Sequence, residues 1–156
     1  KKGATTIWEH WDGIKPDGSF QSPRNNSFNH YAYGAIGEWL YSYVAGLKVD
    51  PECPGYKHII FDPQVGGGLT FARSEFYSMY GKIKSEWKIN ENRITYSLDI
   101  PPNTTGTVKL PISDTNDVVI NSVPLSEKRI AKFVDNSNNL VFKLGSGSYQ
   151  ITFPLN

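Results

Sequence analysis

The sequence predicts a mainly β fold: an antiparallel β-sandwich of about eight strands, preceded by one long helix and an irregular N-terminal segment. Three observations carry this expectation. Apolar residues recur at three- and four-residue spacing only between positions 30 and 45, and from Tyr56 onward the period falls to two. The 156 residues include 14 glycines and 10 prolines, with 13% aromatics, a balance that suits a turn-rich β protein. No internal repeat or low-complexity tract interrupts the pattern.

Residues 1–26 are rich in Gly, Pro and Asn and carry Trp8, Trp11 and Phe20, which reads as an extended, irregular loop. Ser27 or Asn29 can cap a helix running through Tyr31, Ile36, Trp39, Leu40, Tyr43 and Val44, with Gly46 closing it. His58-Ile59-Ile60-Phe61 is a short apolar run stopped by Pro63, and Gly66-Gly67-Gly68 is a break. Residues 69–77 and 81–89 read as strands, and Glu91-Asn92 makes a hairpin turn into residues 93–100. In that last strand Ile94, Tyr96, Leu98 and Ile100 share one face. Residues 107–110, 118–120, 139–144 and 148–153 supply the remaining strands.

Composition narrows the function classes. Sixteen basic residues against fifteen acidic ones give a net charge of +1, and no Lys/Arg run exceeds Lys1-Lys2, so no nucleic-acid partner is expected. No window reaches the ~18 apolar residues of a membrane span, and no signal-peptide pattern opens the chain. The single Cys53 forms no intramolecular disulfide; in Pro51-Glu52-Cys53-Pro54-Gly55 it reads as a small turn residue or as a thiol nucleophile. His10 and His58 have no partners at metal-ligand spacing, so no metal and no cofactor is expected. The only methionine is Met79, which suggests a processed product or an excised piece of a longer chain.

The stretch that could carry chemistry is Thr5-Thr6-Ile7-Trp8-Glu9-His10-Trp11-Asp12, followed by Ser27-Phe28-Asn29-His30-Tyr31-Ala32-Tyr33-Gly34. Aromatic faces bind the apolar face of a sugar ring, while carboxylates and imidazoles bind its hydroxyls or move protons. Glu9 between Trp8 and Trp11 is either an acid–base group in a sugar subsite or a surface carboxylate beside buried tryptophans. Asp12 before Gly13 reads as a turn former or a second acid. His30 near the start of the helix reads as a donor to a substrate hydroxyl or as a helix-end histidine.

These two motifs, with Pro54-Gly55-Tyr56-Lys57, Tyr80-Gly81, Trp87 and Ile100-Pro101-Pro102-Asn103-Thr104-Thr105, resemble the bacterial α-L-rhamnosidases of glycoside hydrolase family 78. The resemblance covers nearly the whole chain. It implies that residues 1–49 are the C-terminal remnant of an (α/α)6 catalytic barrel and residues 50–156 a C-terminal β-sandwich domain. It also implies release of terminal α-L-rhamnose by inversion, with Glu9 as general base, His30 contacting the sugar, and Trp8 and Trp11 as pocket walls. His10 stands where the family more often has arginine. The general acid is expected outside this chain, which alone would be inactive.

The implied partners are a rhamnose-containing oligosaccharide or glycoside and the rest of the catalytic barrel. A homodimer through the aromatic-rich helix is expected of the isolated chain, and a periplasmic or secreted location of the parent. The alternative reading is a non-catalytic sandwich, either a scaffold or a carbohydrate-binding module. The module would present Tyr77, Tyr80 and Trp87 as an exposed strip.

Overall fold

The computed structural model describes residues 3–155 and divides into two compact units, one ending at Trp39 and the other beginning at Leu40. The smaller unit is built on a backbone pairing that its loop-like sequence conceals. Glu9 N–H donates to Ser27 O (2.8 Å), His30 N–H donates to Ile7 O (2.8 Å), and the Thr6 hydroxyl bonds Phe28 O. Between these two segments the chain doubles back through a small bridge at Ile14 and Phe20. Asn26 Nδ2 ties the loop down by donating to Gly13 O at 2.8 Å.

The expected helix is shorter and less regular than a continuous run over 30–45. It opens as a 3₁₀ turn, Tyr31–Gly34, continues as α1, Ala35–Trp39, and widens into a π-type turn, Leu40–Val44. Neither Ser27 nor Asn29 caps it: the flanking residue is His30, whose side chain makes no capping bond. The Ala45 N–H reaches back five residues to Leu40 O at 2.9 Å, the signature of the wide turn.

Among the described residues, the larger unit is a two-sheet sandwich of eleven strands. One sheet holds β1 (Leu47–Val49), β2 (His58–Phe61), β6 (Thr105–Leu110), β10 (Leu140–Leu144) and β9 (Lys132–Val134), in that order. The other holds β3 (Phe71–Ser78), β4 (Gly81–Asn90), β5 (Arg93–Ile100), β11 (Gly147–Pro154), β7 (Val119–Ile120) and β8 (Val123–Pro124). All paired neighbours are antiparallel except β2 and β6, which run parallel with His58 opposite Thr105. The first strand starts at Leu47, three residues before Asp50.

The period-two patterns place the core as expected. Ile94, Tyr96, Leu98 and Ile100 of β5 are all buried, and with Phe61, Val108, Phe142 and Phe153 they form one cluster fed by both sheets. Gly106 lets the sheets approach: a Cβ there would lie 2.8 Å from the Phe61 ring and 3.0 Å from Ile100 Cδ1.

The sandwich also grips the backbone that leads into it. Trp87 Nε1 donates to Val44 O (2.6 Å) and Ser85 Oγ to Ala45 O (2.6 Å), while Tyr96 OH sits 2.9 Å from Ser85 Oγ. Since the serine proton is committed to Ala45, the tyrosine donates to the serine. Burial pushes the Tyr96 phenol well above its ordinary value, so it stays protonated and keeps donating. Two main-chain bonds, Gln64 N–H to Tyr43 O (2.9 Å) and Asp62 N–H to Gly46 O (2.8 Å), complete the clasp. Carbonyls that a helix end leaves orphaned are thereby satisfied by another element.

Trp87 therefore cannot belong to an exposed aromatic strip. It is 0% exposed, whereas Tyr77 is 75% exposed and Tyr80 half-buried beneath the Lys57 ammonium. The parity of β4 explains this: Ile83, Ser85 and Trp87 face inward and Lys82, Lys84, Glu86 and Lys88 alternate outward.

Candidate active site

The smaller unit contains a cleft of about 740 Å³, lined by Gly3, Ala4, Thr6, Ile7, Trp8, Glu9, Trp11 and Tyr33. That volume suits a small ligand, for which sites run to roughly 300–1,000 Å³. The backbone pairing of residues 7–9 with 27–30 makes the site, because it fixes the extended segment that carries Trp8 and Glu9 and ties His30 to Ile7.

Glu9 is held at both ends. Its N–H donates to Ser27 O, and its Oε2 accepts from Ser27 N–H at 3.2 Å. Its other oxygen lies 3.9 Å from His10 Nε2, an ion pair only when the imidazole is protonated. The side chain retains 22% of its accessible surface, so the carboxylate is oriented yet open to solvent. Among the described residues it is the one carboxylate that lines the cleft. Asp12 is exposed and does not line it; a turn forms there, with Gly13 N–H on His10 O at 3.1 Å.

The two tryptophans play unlike parts. Trp8 packs edge-on against Phe28 at 4.9 Å and is half-buried, a fixed wall. Trp11 is 98% exposed, a free indole at the cleft margin. His30 does not line the cleft itself. Its ring packs on Tyr33 at 5.4 Å with an angle of 53°, and Tyr33 faces the cleft. The structure thus brings Trp8, Glu9 and Trp11 together and sets His30 one residue behind the wall.

Tyr33 and Phe28 are the residues whose site roles the sequence did not announce. The signal for Tyr33 was its place three residues after His30, which puts both on one side of a helical turn. Phe28 offered no such signal, because its pairing with Trp8 depends on a return of the chain.

Residues 46–123 match the family model of the bacterial alpha-L-rhamnosidase C-terminal domain, and residues 1–44 match that of the bacterial alpha-L-rhamnosidase 6 hairpin glycosidase domain. The chain belongs to the bacterial α-L-rhamnosidase family. An alpha-L-rhamnosidase of Streptomyces avermitilis is 40% identical over 97% of this chain, which spans 14% of that relative. Another, from Formosa agariphila, is 33% identical over 96% of the chain and 16% of the relative. The crystal structure of the Streptomyces avermitilis alpha-L-rhamnosidase complexed with L-rhamnose matches with a TM-score of 0.77 at 38% identity. That match covers 97% of this chain and 14% of that one. The rhamnosidase segment therefore spans only a small part of the relatives it matches.

Proposed function

We propose that this segment contributes the base side of a site that hydrolyses terminal α-L-rhamnosides with inversion. Glu9 acts as general base and Trp8 and Trp11 wall the sugar, while His30, which does not line the cleft of this segment, is assigned its sugar contact in the intact enzyme. The observation that carries this is a single carboxylate, Glu9, oriented by Ser27 N–H and open to water in an aromatic-walled cleft. A base of this kind takes a proton from water as the oxygen attacks the anomeric carbon. A carboxylic acid about 6.5–9.5 Å away protonates the leaving oxygen on the opposite side.

No second carboxylate lines the cleft among the described residues. The acid is accordingly supplied by a part of the enzyme outside these 156 residues, and the isolated chain is inactive. Residues 1–44 are the end of the catalytic domain, and the C-terminal sandwich opens with β1 at Leu47, a little before the boundary at residue 50 that the sequence suggested. Exposed side chains such as Ile36 and Trp39 are covered by the rest of that domain in the intact enzyme, and support self-association, including a homodimer, of the isolated chain.

Two measurements test the proposal. Purified chain should release no 4-nitrophenol from 4-nitrophenyl α-L-rhamnoside, and measurable release would overturn the missing-acid claim. With the intact enzyme, proton NMR of the first product should show β-L-rhamnose; α-L-rhamnose appearing first would overturn inversion.

A further inference from the structure

Tyr33 occupies the place in the cleft wall that His30 does not reach. Its ring lines the cleft beside Trp8, Glu9 and Trp11 and is 54% exposed. One side of that ring packs on the His30 imidazole at 5.4 Å. Among the described residues no hydrogen bond holds either the phenol or the imidazole, so the His30 ring is oriented by its Tyr33 contact and its pinned backbone. A tyrosine offers an apolar body and a hydroxyl that both donates and accepts, which is the pairing a sugar ring asks for.

We propose that Tyr33 is a sugar-contacting residue of this cleft, its hydroxyl bonding a hydroxyl of the bound rhamnoside, and the positioning residue for His30. The proposal rests on the reading of the cleft as a rhamnoside site.

The test uses the intact enzyme carrying this segment. Tyr33→Phe keeps the ring against His30 and removes only the hydroxyl. It should raise KM for 4-nitrophenyl α-L-rhamnoside about threefold to tenfold with kcat nearly unchanged, as expected for one neutral hydrogen bond made equally in ground and transition states. Tyr33→Ala should cost more, and should cost less when added to His30→Ala than to the wild type, because the two side chains act as one unit. The affinity for L-rhamnose, measured by calorimetry, should fall in parallel.

Unchanged KM and rhamnose affinity in Tyr33→Phe would overturn the sugar contact, and this variant decides the matter even should Tyr33→Ala fail to fold. Additive losses in the double variant would overturn the positioning role. Glu9→Gln, assayed alongside, separates the two levels of inference. An active Glu9→Gln enzyme defeats the base reading, while rhamnose calorimetry still judges Tyr33. An inactive Glu9→Gln with an indifferent Tyr33→Phe defeats only the sugar contact assigned to Tyr33.

Discussion

The Nε1–H of Trp87 is buried and donates to the Val44 carbonyl 2.6 Å away. Trp87→Phe would leave that carbonyl without its donor, at a cost of about 1–3 kcal/mol, and would also open a cavity. Tyr96→Phe should be milder, about 0.5–1.5 kcal/mol, because Ser85 keeps its own bond to Ala45 O. Urea denaturation of both variants checks the order; a Tyr96→Phe loss exceeding that of Trp87→Phe would contradict it. On the outer face, hydrogen bonds from Arg73 (2.5 Å) and Lys82 (2.9 Å) hold the Glu75 carboxyl down to about 2. Its ordinary value is 4.5, so the stabilisation is fully present above that pH and is lost as pH falls toward about 2. Glu75→Gln should therefore flatten the acid side of the stability profile in that window, and added salt should weaken the effect. The alternation along β4 made the burial of Trp87 legible beforehand. Reading Trp87 by its aromatic character instead of its parity put it on the wrong face.

Among the elements, the entry into the sandwich has the least tolerance. Gly46 sits at φ +74°, and a Cβ there would fall 2.2 Å from Pro63 N. Gly46→Ala combines left-handed strain of about 1–2 kcal/mol with a backbone clash, so it should lower the melting temperature far more than Gly34→Ala, where open space awaits the methyl. Comparable melting temperatures would contradict this. The long strands were legible because β4, β5 and β11 alternate cleanly along eight or more residues. β1, β8 and β9 span two or three residues each and owe their existence to partners distant in sequence, which no local pattern records. The helix was legible in place but not in geometry. Sandwich donors hold the carbonyls of residues 43–46, and the last turn widens to Ala45 N–H on Leu40 O.

At the scale of the whole molecule, a segment spanning 14% of its Streptomyces relative matches one domain model over residues 1–44 and another over residues 46–123. Its exposed aromatic and aliphatic side chains at Tyr31, Ile36, Trp39 and Leu40 should make the isolated chain self-associate with rising concentration. Light scattering that shows a strict monomer at high concentration would contradict this. The cleft was half legible: the Trp-Glu-His-Trp run marked Trp8, Glu9 and Trp11, but the pairing of residues 7–9 with 27–30 that orients Glu9 is a tertiary fact. Everything proposed for function turns on that carboxylate. The most direct measurement is kcat for Glu9→Gln in the intact enzyme, since the substitution preserves shape and removes the base. It should fall by about 10²–10⁴-fold with KM for 4-nitrophenyl α-L-rhamnoside little changed. A kcat within about tenfold of wild type would contradict the role of Glu9 as general base.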